Sequence, residues 1–141
     1  MLQKTMRQLS EVRYAARILL IDTDPLDLET YADVLHHCGH EVVPRASYRE
    51  AVHLLQIESF DLVIVDQGGP QFEARMVLER LHSLSDRNPS LVIARHRDMH
   101  CYLKALSLGA SDYLEKPIPP QKLKQAVDAT LSVQMSAVGC G

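Results

Sequence analysis

The chain has 141 residues, 46% of them hydrophobic, with 15 Lys and Arg against 18 Asp and Glu and a formal net charge of -3. That is enough chain for one domain burying about two thirds of its unfolded surface. Near-balanced charge without a basic-aromatic stretch argues against nucleic-acid binding, and the longest apolar runs fall far short of the about 20 residues of a membrane span.

Residues 1–15 read as an N-terminal extension or linker helix, with a weak apolar stripe at Leu2, Met6 and Leu9. Charges run through this segment, so it lacks the apolar core of a signal peptide. Cys38, Cys101 and Cys140 are an odd number without CxxC spacing. Reduced thiols and a cytoplasmic location are the expectation.

The first strand is expected at Arg17 to Ile21. Pro25 opens a helix with apolar positions Leu28, Tyr31, Leu35 and Cys38, and Gly39 ends it. Glu41 to Pro44 reads as a short edge strand, because Pro44 cannot donate to a ladder. Ser47 and Glu50 form a capping pattern for a helix holding Val52, Leu54, Leu55 and Ile57. Asp61 to Val65 is a third strand, and a helix over Phe72 to Leu84 follows the break at Gly68-Gly69-Pro70. Leu91 to Ala94 is strand four, Met99 to Leu108 a helix stopped by Gly109, and Asp112 to Leu114 a brief fifth strand. Pro119 or Pro120 starts a last helix through about Val133, leaving residues 135–141 as a tail. The domain proper spans residues 16–134. Five strands each followed by a helix predict an α/β fold with a parallel sheet and helices on both faces. Periodicity leaves the strand order open.

Ligands in such folds bind beyond the carboxyl ends of the strands. Asp22 and Asp24 end the run Ile18-Leu19-Leu20-Ile21, and Asp66 ends Leu62-Val63-Ile64-Val65. Runs of this kind suit strands covered by helices on both faces. Side by side, their acids would repel one another unless a hard cation such as Mg²⁺ sat between them. The simpler alternative is capping, and Asp24-Pro25 also reads as an N-cap followed by proline at the first helical position. Lys116, at the end of the fifth strand, would add positive charge at the same edge. Asp66 could then act as nucleophile toward a phosphoryl donor, with the metal and Lys116 offsetting charge on the transferring oxygens.

Three stretches together resemble the receiver domain of the two-component response regulator family. They are Ile18-Leu19-Leu20-Ile21-Asp22-Thr23-Asp24-Pro25, Phe60-Asp61-Leu62-Val63-Ile64-Val65-Asp66, and Gly109-Ala110-Ser111-Asp112-Tyr113-Leu114-Glu115-Lys116-Pro117. The resemblance covers about Ala16 to Val133. It implies a doubly wound, flavodoxin-like sheet of order 2-1-3-4-5. It also implies Asp66 as phospho-acceptor, Asp22, Asp66 and the Gly68 carbonyl as Mg²⁺ ligands, and Lys116 as the lysine that pairs with the aspartate or phosphoryl group. The Lys116-Pro117 peptide is commonly cis in relatives, and Tyr113 matches an aromatic switch whose ring turns inward on activation.

The departures are specific. Thr23 stands where relatives have a second metal-ligating acid, Ala94 where they have a Thr or Ser hydroxyl, and Arg95 where a small residue is usual. Gly69 and Ala74 are lesser changes. The expected function is therefore a signal-transduction receiver regulating by protein–protein interaction, with impaired Mg²⁺-dependent phosphorylation of Asp66. A conventional receiver switched by a histidine kinase is the alternative, and a small flavodoxin-like enzyme or cofactor-binding protein the other. The domain itself is not expected to be an enzyme beyond phosphoryl chemistry at Asp66. Implied partners are a histidine kinase or phosphotransfer protein, a downstream protein or linked output domain, and a second copy of the chain. Expected exposed residues on the dimer or partner face are His100, Lys104, Asp112 and Lys122. His36, His37, Cys38 and His40 cluster too, but their directions on one helix end make joint zinc ligation awkward.

Overall fold

In a computed structural model of the chain, residues 15–84 and 88–140 are described. The elements are β1 (Arg17–Ile21), α1 (Pro25–His37), β2 (Glu41–Arg45), α2 (Tyr48–Ile57), β3 (Leu62–Asp66), α3 (Arg75–Ser83), β4 (Ser90–Ala94), α4 (Met99–Ser107), β5 (Asp112–Glu115) and α5 (Pro120–Cys140). The strands form one parallel sheet in the order β2-β1-β3-β4-β5, which the family resemblance implied. Residues 1–14, including the apolar stripe at Leu2, Met6 and Leu9, lie outside the described residues.

The period of two along each strand divides the aliphatic side chains between two cores. Ile18, Leu20, Leu62, Ile64, Leu91 and Ile93 share one with Tyr31 and Leu35 of α1 and Leu123, Val127 and Leu131 of α5. Leu19, Ile21, Val63, Val65 and Val92 share the other with Leu54 and Leu55 of α2, Val77, Leu78 and Leu81 of α3, and Cys101 and Ala105 of α4. Burial on both faces is why these strands read as unbroken apolar runs. β2 is an edge strand, so Pro44 sits where a missing N–H is tolerated.

Short polar residues set the helix starts. Asp24 accepts from the backbone N–H groups of Leu26 and Asp27 with Pro25 in the first turn, Ser47 accepts from Glu50 N–H, and Asp98 from Cys101 N–H. Each fills backbone donors that the first turn of a helix leaves without partners.

Several boundaries differ from the sequence expectation, most by one residue. α3 begins at Arg75 rather than Phe72, because Phe72 has a left-handed φ of 56° and the helix starts from Ala74 without a side-chain cap. β3 is displaced by one residue, to Leu62–Asp66, and Asp61 before it holds the Arg17 N–H with its carboxylate at 2.8 Å. α5 continues from the expected end near Val133 to Cys140, so residues 135–140 are helical rather than an irregular tail. No proline or glycine interrupts the chain there before Gly139.

Register places the carboxyl ends of the central strands level with one another. Ile21 pairs with Val65, Asp66 with Ile93, and Ala94 with Glu115. Asp22, Asp66 and Lys116 therefore leave the sheet at one edge, and the packing that sets this level is exacting. Leu20 is fully buried in the core between sheet, α1 and α5. Leu20→Ala should lower stability by about 3 kcal/mol through lost transfer energy and a residual cavity. Urea unfolding should show a lower midpoint with an unchanged slope.

Candidate functional site

At that edge the Lys116 ammonium meets three carboxylates. It lies 2.6 Å from Asp22 Oδ2, 2.8 Å from Asp66 Oδ1 and 3.0 Å from Asp27 Oδ2. Asp22 is 1% exposed and Lys116 6%. β5 delivers Lys116, β1 and β3 deliver the two expected acids, and the first turn of α1 delivers Asp27. The Lys116-Pro117 peptide is cis, as in the relatives the sequence resembles.

The second oxygens of Asp22 and Asp66 are also occupied. Asp22 Oδ1 accepts from Asp24 N–H at 3.0 Å. Asp66 Oδ2 accepts from Gly68 N–H at 3.1 Å, and the Tyr48 hydroxyl donates to the Asp66 carbonyl at 2.9 Å while standing 3.4 Å from Oδ2. Gly68 has φ 88°, a backbone angle that favours glycine, and a Cβ there would run into the Glu73 side chain. Arg95 closes the other side, its guanidinium 2.6 Å from Asp27 Oδ2. Asp22, Thr23, Asp24, Asp27, Asp66, Gln67, Gly68, Arg95 and Lys116 all line this one cleft.

Electrostatics follow from burial and pairing. Burial pushes the Asp22 carboxyl above its ordinary pKa, and the hydrogen bonds from Lys116 and the Asp24 N–H offset that only in part. Burial also works against ionised Asp27, but the hydrogen bonds from Lys116 and Arg95 outweigh it and its pKa is lowered. Lys116 is desolvated, yet hydrogen bonds to Asp22, Asp66 and Asp27 raise its pKa, so it stays charged. Burial, then the charge of Asp66, holds the Tyr48 phenol well above its usual range. Tyr48 is thus a neutral donor to the site.

Of the residues read from sequence, Asp22, Asp66, Gly68, Arg95 and Lys116 converge. Thr23 and Asp24 share the cleft, with the Asp24 carboxylate used as the α1 cap. Ala94 and Tyr113 lie behind it, both buried, and the Tyr113 hydroxyl donates to Gln67 Oε1. Asp27, Tyr48 and Gln67 did not stand out in the sequence. An acid in the first turn of a helix, such as Asp27, is accounted for by the helix dipole alone, although its third place in α1, just past Pro25, brings it to Lys116. Gln67 carries the one available signal, a polar residue where strand alternation turns the side chain inward. The histidine cluster does not assemble: His36 and His37 are exposed, and buried His40 accepts from Ala16 N–H through Nδ1 at 3.0 Å. Among the described residues no three His, Cys, Asp or Glu side chains stand around a point ready for a metal ion. In the acidic cleft, the Lys116 ammonium takes that central place.

Comparison with known proteins agrees with this geometry. The family model described as response regulator receiver domain matches residues 18–128. The chain belongs to the response regulator receiver family. The receiver is 30% identical over 124 residues to the two-component response regulator ARR12 of Arabidopsis thaliana, covering 86% of this chain and 21% of that protein. It is 30% identical over 112 residues to the transcriptional regulatory protein CrdR of Helicobacter pylori, covering 79% of this chain and 53% of that one. The chain thus spans between about a fifth and a half of these two relatives. A response regulator receiver structure from Methanospirillum hungatei superposes with a TM-score of 0.81 at 26% identity, over 87% of this chain and 98% of that one. Receivers are signalling domains of two-component systems, which sets the fold apart here from its use in flavin carriers or small enzymes. Among the described residues no helix is long and apolar enough to cross a membrane.

Two outcomes test the charge balance. Lys116→Met leaves buried carboxylates without their common partner and should destabilise the receiver by about 3–5 kcal/mol in urea unfolding. A loss below about 1 kcal/mol would mean that solvent alone satisfies the acids. Asp27 is the second. Its folded pKa is depressed, so its stabilisation is complete above the unfolded carboxylate value of about 3.9 and is lost as pH falls through the folded value. The stability gap between the parent and Asp27→Asn should be constant from pH 5 to 8 and shrink below about pH 4. A gap that does not depend on pH in acid would assign Asp27 a packing role only.

Proposed function

We propose that Asp66 is the phospho-acceptor of a receiver that signals through protein–protein contacts, with Mg²⁺-dependent phosphorylation impaired by weakened Mg²⁺ binding. The observation that carries this reading is the bridging of Asp22 and Asp66 by the Lys116 ammonium at 2.6 and 2.8 Å. Such a constellation suits a dianionic phosphoryl group next to a divalent cation and serves no evident packing purpose.

An Asp66 carboxylate oxygen attacks phosphorus in a phosphohistidine or a small acyl phosphate. The new O–P bond forms as the bond to the leaving group breaks, and the leaving group departs with its electron pair. Lys116 then follows the charge onto the phosphoryl oxygens, and the Gly68 N–H, 3.1 Å from Asp66 Oδ2, steadies the carboxylate. Most of the acceleration in such a transfer comes from alignment and charge neutralisation. Receivers in general bind Mg²⁺ at this edge, and hard oxygens from Asp22, Asp66 and the Gly68 carbonyl fit that ion here. When bound, it neutralises charge on the transferring group.

Thr23 supplies no carboxylate to this set. Losing one weakens Mg²⁺ binding more than tenfold, on the order of 1.4 kcal/mol or above. Asp27 is turned instead toward Lys116 and Arg95, which lie 3.0 and 2.6 Å from its Oδ2. Ala94 offers no hydroxyl to the phosphoryl group, so the usual link from acceptor to Tyr113 lacks its middle member. The kinase or phosphotransfer donor, and the downstream protein or linked output domain, belong to this proposal as partner classes.

Intact mass after incubation with Mg²⁺ and acetyl phosphate decides the acceptor. The parent should gain one phosphoryl group and Asp66→Asn none, and Thr23→Asp should reach half-maximal labelling at least tenfold lower in Mg²⁺. Equal labelling of parent and Asp66→Asn would place the chemistry elsewhere. Unchanged Mg²⁺ dependence in Thr23→Asp would remove Thr23 as the cause of weak binding.

A further inference from the structure

Gln67 has no part in the acceptor chemistry, yet it is anchored through both its backbone groups and its side chain. It is 4% exposed. Its backbone N–H donates to Ile93 O at 2.8 Å, and its carbonyl accepts from Ala74 N–H at 3.1 Å. These two bonds tie it to β4 on one side and to the approach of α3 on the other. Its side chain touches two regions at once, lining the acidic cleft and accepting from the buried Tyr113 hydroxyl.

Tyr113 is 7% exposed, and its ring stands edge-on to Tyr102 of α4 with centroids 5.4 Å apart. Ala94 belongs to the same core as Tyr113, and its methyl group has no hydrogen bond to give. A phenol and an amide removed from water are each costly unless they find a partner. Here the Tyr113 hydroxyl and the Gln67 carboxamide oxygen satisfy each other. Turning the Tyr113 ring out to solvent would leave the Gln67 carboxamide oxygen without its donor and open a void beside Tyr102. The inward ring is therefore held by Gln67 and Tyr102.

We propose that Gln67 is a positioning residue that fixes Tyr113 inward, and with it the Tyr102 side of α4, whatever the chemical state of Asp66. Asp66 then governs the charge of the cleft, while Gln67 governs the shape of the surface over β5 and α4. A partner docking on that surface meets one arrangement before and after phosphorylation. This goes beyond the acceptor reading and stands independently of it.

Fluorine NMR of the full chain labelled with 3-fluorotyrosine tests this, the Tyr113 resonance being assigned from Tyr113→Phe. Broadening by a soluble gadolinium chelate reads exposure, and Tyr31, 4% exposed in the opposite core, is the internal reference. In the parent, Tyr113 should be as protected as Tyr31. Gln67→Leu should increase Tyr113 broadening at least threefold with Tyr31 unchanged, and Gln67→Glu, which keeps an acceptor at the same reach, should restore protection. If Tyr31 also loses protection, the variant has not folded, and Gln67→Met replaces it. Mg²⁺ and acetyl phosphate, with intact mass followed in parallel, should leave the Tyr113 resonance in place. A protected Tyr113 in folded Gln67→Leu or Gln67→Met overturns the proposal, as does a parent resonance that moves as the phosphoryl mass appears. Absence of the mass gain would count against the acceptor reading alone, because the Gln67 variants still decide the positioning role.

Discussion

Lys116 reaches from the end of β5 into three carboxylates contributed by β1, β3 and α1, and the carboxyl edge of the sheet is organised around its ammonium. Asp22, at 1% exposure, cannot rely on water for its charge. Like charges so close together would drive one another toward protonation. One ammonium within 3.0 Å of all three offsets that repulsion. Such an arrangement is poor evidence for stability, since desolvating four charges costs several kcal/mol per ion and the mutual attraction only offsets it. The two aliphatic cores carry the fold. The acidic edge is tolerated because those cores hold the strand ends level, and its persistence in a buried place points to chemistry.

Arg95 and Asp27 alter this edge in a coordinated way. Thr23 removes a carboxylate from the loop after β1, and Asp27 presents one from one turn into α1. The Asp27 carboxylate bridges Lys116 and Arg95 at 3.0 and 2.6 Å, and its engagement by two cations makes it correspondingly acidic.

The parts of this site that were legible in the sequence are those that terminate apolar runs. Asp22 and Asp66 follow four aliphatic residues each, and Lys116-Pro117 ends a short β run, so their positions at strand ends follow from pattern alone. That they meet required the strand order, which periodicity does not encode and which came from the family resemblance. Asp27, Tyr48 and Gln67 were hidden for a different reason. Each already had a sufficient local account: an acid at a helix start, an aromatic on an amphipathic helix, a polar residue after a strand. Their partners lie far along the chain, Lys116 for Asp27, Asp66 for Tyr48 and Tyr113 for Gln67. Local preference cannot reveal a contact that only the tertiary fold creates. The late start of α3 is similar, because Phe72 is drawn into the core at a left-handed φ that its helical surroundings do not suggest.

Ala94 and Gln67 carry the same logic into the interior. A hydroxyl at the end of β4 would connect the acceptor to Tyr113 through a group free to follow the phosphoryl oxygens. An alanine there breaks the connection, yet the buried phenol still requires an acceptor. Gln67 meets that requirement from β3, one residue beyond Asp66, with its backbone anchored to both Ile93 and Ala74. An anchored acceptor differs from a mobile hydroxyl in its consequence. It satisfies the ring in one position only, so the energy that a moving hydroxyl would spend on switching is here committed to holding. The cleft and the surface over α4 and β5 thus share Gln67 as a wall, and that wall is fixed from the protein side.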